Sequence, residues 1–237
     1  LPNRGLVYDQ NGHVLAKNYS SYALEFQAKS IDDLGKVLDT LSDLVKISVE
    51  ERVRIEKAMQ KAGRFSNIII RDDLSEDEIA RFTANAYRFP DIKLSAQLYR
   101  EYPHSELTSH LLGYVRRVSE ADLDRLTENG LRARYINSDW IGKRGIEAFY
   151  ESKLRGQLGL NHVEVDSRGT ALRVLDRQHP VGGEDVFLTI DLALQKAAFE
   201  ALGNQNGALV ALDPNDGSVL AFVSKPGYDP SLFVRGF

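Results

Sequence analysis

Two glutamates in the middle of the chain have the spacing of a paired acid and base. Glu147 and Glu151 stand at positions i and i+4, so one helix face would carry both carboxylates. Such pairs cleave sugar linkages in glycosidases. The alternative, which we expect, is an exposed acidic edge whose charges face nearby cations. Those cations are Lys143, Arg144, Lys153 and Arg155.

Motifs for other catalytic chemistry are absent from the sequence. No serine has a lysine three residues later, and no Ser-x-Asn, Lys-Thr-Gly or Lys-Ser-Gly triplet occurs. Phosphate-binding glycine loops and the G-x-S-x-G elbow are also missing. The five histidines lack the spacing of metal ligands. The sequence therefore predicts no catalytic serine, no metal site and no cofactor in these 237 residues.

Composition indicates a folded protein that does not bind nucleic acid. Hydrophobic residues make up 43% of the chain and charged residues 27%, as in ordinary globular proteins. The net charge of −4 disfavours nucleic acid, because phosphate binding needs a basic surface. Cysteine is absent, and no apolar stretch reaches the roughly 20 residues of a membrane span. The chain begins at Leu1 without an initiator methionine, so we expect it to be part of a longer protein.

A glycine-bounded segment, residues 139–159, positions the two glutamates. Gly142 and Gly145 predict a turn, and Gly156 and Gly159 predict a stop. Between them, apolar residues at helical spacing predict one short amphipathic helix. They are Ile146, Phe149, Tyr150 and Leu154.

The part before this segment predicts a hairpin followed by helices. Asn11-Gly12 between two apolar runs predicts a β-hairpin with a type I′ turn. Residues 20–28 alternate as a half-buried strand does, and residues 30–90 are mostly helical around the short strand 68–70. Predicted N-cap pairs are Ser30 with Asp33, Ser48 with Glu51, Ser75 with Glu78 and Ser119 with Asp122. Residues 110–115 are predicted as a strand or turn.

The part after the segment predicts strands. Residues 163–174 should form two strands joined by a turn at 168–170. Asp191 should cap a helix over 192–202 that ends at Gly203. Residues 207–223 predict a hairpin so apolar that both of its faces need cover, and 227–237 predict a loop.

The motifs together resemble the non-catalytic pedestal of class B penicillin-binding proteins, in particular the elongation type. The central one, G-x-x-G-I-E-x-x-Y-E-x-x-L-R-G-x-x-G, includes Gly142, Gly145, Ile146, Glu147, Tyr150, Glu151, Arg155 and Gly156. The first one, R-G-L-V-Y-D-Q-N-G, includes Arg4, Gly5, Asp9, Asn11 and Gly12. Gln10 replaces the arginine usual in this motif. By this resemblance, these thirteen residues are structural and couple the region to its partners.

The resemblance implies an α+β fold. An elongated, β-rich pedestal would carry an inserted small helical head subdomain, followed by the first helix and β-hairpin of a transpeptidase (penicillin-binding) domain. The divisions would be 1–29 and 104–182 for the pedestal, 30–103 for the head and 183–237 for the truncated transpeptidase domain.

The implied function is that of a pedestal, or dimerisation-type region, of a peptidoglycan D,D-transpeptidase that maintains rod shape. It would lie on the periplasmic side of the bacterial inner membrane, with the anchor upstream. A SEDS glycosyltransferase (RodA-type) and an MreC-type scaffold would dock on it. Stem peptides and β-lactams would bind only to the missing catalytic domain.

Three alternatives remain open at this point. They are a septal class B protein, a stand-alone adaptor without any enzyme, and a glycosidase that uses Glu147 and Glu151. We also predict a hinge between pedestal and head at Gly142 and Gly145, against the alternative that these glycines only satisfy a tight turn.

Overall fold

A computed structural model describes residues 2–27, 33–61, 67–135, 140–165 and 171–234. The strands are β1 (Val7–Tyr8), β2 (Val14–Gln27), β3 (Asn67–Arg71), β4 (Ile92–Glu101), β5 (Val115–Arg117), β6 (Trp140–Gly142), β7 (Leu160–Val165), β8 (Ala171–Gln178), β9 (Val186–Phe187), β10 (Gly207–Leu212) and β11 (Val219–Lys225). The helices are α1 (Leu34–Leu41), α2 (Val49–Lys61), α3 (Glu76–Asn85), α4 (Ser105–Leu112), α5 (Glu120–Glu128), α6 (Gly145–Phe149), α7 (Glu151–Leu154), α8 (Leu192–Ala201) and α9 (Ser231–Val234). Two 3-10 helices cover Ala86–Arg88 and Arg132–Tyr135.

The chain divides into two compact units. The first contains Leu1–Asn18 and Arg100–Phe237, and the second contains Tyr19–Tyr99. The finer four-part division given above stays a prediction.

The second unit packs three helices and β3 around an apolar core. β2 pairs antiparallel with β3, with Leu24 opposite Arg71. The predicted caps Ser48–Glu51 and Ser75–Glu78 are confirmed by reciprocal hydrogen bonds. Ser30 lies outside the described residues, and the Asp33 side chain caps α1. The buried core residues are Leu24, Phe26, Leu38, Leu41, Val45, Ile55, Ile68, Ile70, Leu74, Phe82, Phe89 and Ile92.

The first unit begins with the predicted hairpin, but its turn type was predicted wrongly. A type I′ turn needs positive φ at both central residues, whereas Gly12 is the only residue of the turn with positive φ, at +84°. Its N–H donates to the Asp9 carbonyl (3.2 Å), and the Asp9 N–H donates to the His13 carbonyl (2.9 Å). Asp9 then accepts from the backbone of Asn11 with its side chain (2.8 Å), which stabilises this alternative turn.

Residues 110–112 are helical, so the strand or turn predicted there is wrong over this part. They form the last turn of α4, which ends before Gly113, a residue with φ of +71°. Only Val115 enters a strand, β5, which pairs antiparallel with β6. The helix was missed because Ser105, Thr108 and Ser109 interrupt its apolar pattern, yet Thr108 and Ser109 are buried.

The C-terminal part forms a hairpin packed on a helix. Asp191 caps α8 through the Leu194 N–H (3.0 Å), as predicted, and β10 pairs antiparallel with β11. One face of the hairpin packs on α8, and on the other face Val210 and Leu212 remain exposed. The loop predicted for 227–237 is wrong in part, because α9 forms there. Residues 235–237 lie outside the described residues.

The mixed α+β class is confirmed by this arrangement of helices and sheets. Within the described ranges, none of the helices has the length and apolarity to cross a membrane.

Candidate functional site: a buried ion cluster around Glu147

The central segment contains two short helices instead of the single amphipathic helix predicted. α6 ends at Phe149 and α7 begins at Glu151, and Tyr150 between them has φ −96° and ψ 19°. The break turns Phe149 outward, where it is 78% exposed, while Leu154 is fully buried. The predicted apolar face is therefore wrong at Phe149.

Glu147 is fully buried and lies between two arginines. Its Oε2 accepts from Arg4 Nε and its Oε1 accepts from Arg100 Nε, each at 2.7 Å. Arg4 Nη2 also donates to the backbone carbonyl of Glu147 (2.9 Å). The exposed acidic edge predicted for this residue is thus wrong. Its described partners, Arg4 and Arg100, come from distant parts of the chain, and neither is one of the nearby cations.

Glu151 extends the cluster on the α7 side. Its Oε2 accepts from Arg4 Nη2 (2.7 Å) and from the Gly142 N–H (3.0 Å). Its Oε1 accepts from the Tyr135 hydroxyl (3.1 Å), and the Arg155 guanidinium lies 3.7 Å from the centroid of the Tyr135 ring. Arg4 therefore joins the two glutamates, which are on separate helices.

Arg100, at the end of β4, closes the cluster on its other side. Its Nη1 donates to the Gly5 carbonyl (2.8 Å) and to the Asn18 Oδ1 (3.2 Å). Asn18 in turn donates to the Arg4 carbonyl (2.6 Å). The cluster joins the N-terminal segment, β2, β4 and α6, so residues 4 and 147 are held together across the chain.

Electrostatics keep Glu147 and Arg4 ionised. Burial raises the pKa of Glu147, but Arg4 and Arg100 outweigh that effect and hold this pKa below its ordinary value. Burial also lowers the pKa of Arg4, which Glu147 and Glu151 reverse, so its pKa is raised. Burial and then the charge of Glu151 raise the pKa of Tyr135 to about 12.

This geometry does not suit acid–base catalysis. A general acid needs a raised pKa and access to its substrate, whereas Glu147 has a lowered pKa and no exposed surface. Both of its described side-chain partners, Arg4 and Arg100, are positively charged groups that hold it ionised. The cluster is suited to fixing the relative positions of chain segments.

The four glycines of the segment sit where backbones approach closely. A Cβ on Gly142 would lie 2.1 Å from the Glu147 carbonyl oxygen, and one on Gly145 would lie 2.5 Å from the Leu111 carbonyl oxygen. A Cβ on Gly156 would meet the Val181 carbonyl oxygen at 2.5 Å. Gly145 and Gly156 also have positive φ, which side chains disfavour. Packing therefore accounts for these glycines, and the hinge at Gly142 and Gly145 stays a prediction.

Asp9, Asn11 and Gly12 form a second group at the first hairpin turn. Asp9 is buried and accepts from the backbone of His13 (2.8 Å) and of Leu192 (3.1 Å). Asn11 Nδ2 and Gln10 Nε2 donate to Asp191 Oδ2 at 3.3 and 3.1 Å. This group attaches the turn to the start of α8. Gln10, which replaces the arginine usual in the resembled motif, thus donates a hydrogen bond to the Asp191 carboxylate.

Ile146 and Tyr150 are partly buried. The Tyr150 ring contacts the edge of Phe149, with centroids 4.9 Å apart.

Sequence reasoning missed Arg100 and Gln195 as organising residues. Arg100 lies in a strand beside Tyr99, which is buried, and a charged residue there is the signal that a buried carboxylate must lie nearby. Gln195 is fully buried and joins three elements: its Nε2 donates to the carbonyls of Leu107 (2.9 Å) and Phe222 (2.7 Å), and its Oε1 accepts from the Phe222 N–H. For Gln195, the signal in the sequence was a polar glutamine on the apolar side of α8.

Comparison with protein families decides the assignment. Residues 1–188 match the penicillin-binding protein dimerisation domain. The chain belongs to this family. The relatives it resembles include the peptidoglycan D,D-transpeptidase MrdA of Escherichia coli K12, 39% identical over 99% of this chain and 37% of the relative, and that of Haemophilus influenzae, 38% identical over 99% and 36%. The chain therefore spans little more than a third of these curated relatives.

Solved structures agree with this assignment. The penicillin-binding protein PBP2 of Helicobacter pylori, in a complex with MreC, superposes with a TM-score of 0.82 at 26% identity, over all of this chain and 44% of that one. The same protein solved by itself gives a TM-score of 0.73 at 25% identity, over all of this chain and 45% of that one.

Proposed function

We propose that this chain is the non-catalytic pedestal and head region of an elongation-type peptidoglycan D,D-transpeptidase, a penicillin-binding protein 2. Its work is to dock partner proteins and to transmit their binding to the catalytic domain. The observation that carries the proposal is the match of the whole chain to PBP2 of Helicobacter pylori, solved as a complex with MreC.

The ion cluster supports a lever role for this region. A lever transmits displacement only if its parts are fixed to each other, and buried charge pairs fix register and orientation in some proteins. Here Glu147 holds the N-terminal motif to the central motif through Arg4 and Arg100. The thirteen motif residues would thus act on partners indirectly, by keeping the docking surfaces in position.

Partners and location follow from the same proposal. An MreC-type scaffold and a RodA-type SEDS glycosyltransferase would dock on this region at the periplasmic side of the bacterial inner membrane. Cross-linking of stem peptides, and acylation by β-lactams, would belong to a catalytic domain of the longer protein. The absence of Ser-x-x-Lys, Ser-x-Asn and Lys-Thr-Gly from these 237 residues supports that division of labour.

Two measurements on the purified chain test the proposal. The chain should take no covalent label from a fluorescent penicillin, and it should bind the periplasmic part of the MreC-type scaffold from its own organism. Covalent labelling would contradict the non-catalytic role. Absence of scaffold binding, in a sample whose near-ultraviolet circular dichroism shows a packed fold, would contradict the docking role.

A further inference from the structure

A cleft lies beside the ion cluster, and none of the described side chains fills it. It has a volume of about 760 Å³ and is lined by residues of α5, α6, α7 and the segment that leads into β7. Its lining includes the buried Tyr135 and the largely buried Glu151. It also includes two exposed apolar residues, Phe149 and Leu160, which we call its rim. Cavities of this size accommodate ligands or peptide side chains.

The rim of the cleft is apolar and faces water. Phe149 is 78% exposed and Leu160 is 51% exposed. An occupant confined to the cavity would leave these two side chains in water, whereas a peptide chain running across the cleft would cover them. Large apolar side chains that stand together at a surface mark protein contacts.

The lining is positively charged. It contains Arg125, Lys143 and Arg155, and among the described lining residues only Glu151 carries a negative charge. Glu151 is already paired with Arg4. Asp122, next to the cleft, forms ion pairs with Lys143 and Arg125 and so neutralises part of this positive charge. The cations stand out in a chain of net charge −4, and they favour an occupant with carboxylates.

We propose that this cleft is a docking site for a peptide segment of a protein partner, one that carries carboxylates between apolar side chains. The apolar side chains would cover Phe149 and Leu160, and the carboxylates would meet Arg125, whose side chain is 61% exposed. This inference deepens the proposed function, since it assigns one surface to the docking role.

The test measures binding of two defined peptides to the purified chain. The first is a labelled 12-residue peptide of alternating glutamate and leucine with a central phenylalanine, and the second has lysine in place of glutamate. Fluorescence anisotropy should show binding of the glutamate peptide that weakens as salt rises, and binding of the lysine peptide at least tenfold weaker.

Matched variants locate the binding. Arg125→Glu in the cleft is compared with Lys196→Glu on α8, because the two side chains are similarly exposed. Phe149→Ala is compared with Phe187→Ala, since each ring is exposed and lies 4.9 Å from one tyrosine ring. Each cleft variant should weaken binding about tenfold and each control less than twofold. These positions are at the surface, so the variants should fold.

Several outcomes would overturn the inference. They are no binding of the glutamate peptide, equal binding of both peptides, and equal effects of cleft and control variants. Sedimentation that shows a dimer broken by Phe149→Ala would also overturn it, because the occupant would then be a second copy of the chain. Scaffold binding on the same samples tests the proposed function separately, and the peptide result alone decides on the cleft.

Discussion

Arg100 Nε donates to Glu147 Oε1 at 2.7 Å, and both side chains are buried. The same guanidinium reaches the Gly5 carbonyl and the Asn18 side chain. One arginine on β4 is thus in contact with the N-terminal motif and the central motif, which lie more than 100 residues apart in the sequence. A planar, forked donor is needed for these simultaneous contacts.

We predict that Arg100→Lys lowers the free energy of unfolding by about 2–3 kcal/mol, because an ammonium group cannot reach all three acceptors and buried groups lose their partners. Trp140, the single tryptophan, lies in the same unit and reports its unfolding in urea. Arg173→Lys is the control, since Arg173 is an exposed partner of Glu164. Its effect should stay within about 0.5 kcal/mol. If both variants lowered the free energy of unfolding equally, the forked geometry of the Arg100 guanidinium would be unimportant.

Gly145→Ala should lower the stability of the fold more than Gly217→Ala does. Both glycines have positive φ, which costs an alanine about 1–2 kcal/mol. A Cβ on Gly145 would in addition meet the Leu111 carbonyl oxygen at 2.5 Å, whereas nothing lies within 4 Å at Gly217. Thermal unfolding of the two variants measures the difference, and equal losses would refute the close approach.

The hinge at Gly142 and Gly145 makes a separate prediction. The double variant Gly142→Ala, Gly145→Ala should change partner activation and head mobility as well as stability. The hinge would be rejected if stability, activation and mobility all stayed unchanged.

The pH dependence of stability should reveal the Asp122–Lys143 pair. Burial raises the pKa of Asp122, but Lys143 and Ser119 outweigh it and lower this pKa to about 2. An unfolded aspartate titrates near 3.9. The contribution of the Lys143 and Ser119 contacts of Asp122 to stability, roughly 2 kcal/mol, is therefore complete above about pH 5 and is lost as the pH falls towards 2. Urea unfolding between pH 6 and 2.5 should show this loss in the natural chain and a smaller one in Asp122→Asn. If stability fell in parallel with pH in the natural chain and in Asp122→Asn, the prediction would be contradicted.

Sequence patterns predicted the elements whose signals are local. The caps at Ser75, Ser119 and Asp191 and the β10–β11 hairpin follow from neighbouring residues, and they are confirmed. Glu147 could not be predicted in the same way. Its partners Arg4 and Arg100 lie 143 and 47 residues away, and its own helix neighbours offered nearer cations. The spacing therefore indicated a solvated face. Tertiary contacts instead bury Glu147 in an ion cluster.

The first hairpin turn was mispredicted for a related reason. Asn11-Gly12 alone favours type I′, but the Asp9 side chain accepts from the backbone of Asn11 and His13 and stabilises a different turn. The resemblance to a family motif named Asp9, Asn11 and Gly12, but it carried no geometry.

Asp9 gives a further prediction. Its carboxylate bonds the backbone of the turn and the N–H of Leu192 at the start of α8. Asp9→Ala should lower the free energy of unfolding by about 2 kcal/mol or more, because buried donors lose their acceptor. Asp213→Ala is the control, since Asp213 bonds Asn215 in an exposed turn. Its loss should be about 1 kcal/mol or less. Equal losses in urea unfolding would contradict the link between turn and helix.

The most direct test of the account is urea unfolding of Glu147→Gln, followed through Trp140. The glutamine keeps the size of the side chain but leaves Arg4 and Arg100 buried without their shared countercharge. Breaking a buried charge pair typically costs 3–5 kcal/mol, and we expect a loss of that order. Glu128→Gln, at the exposed end of α5, should change stability by less than about 0.5 kcal/mol. A loss in Glu147→Gln no larger than in this control would contradict the claim that the ion cluster holds the two motifs together.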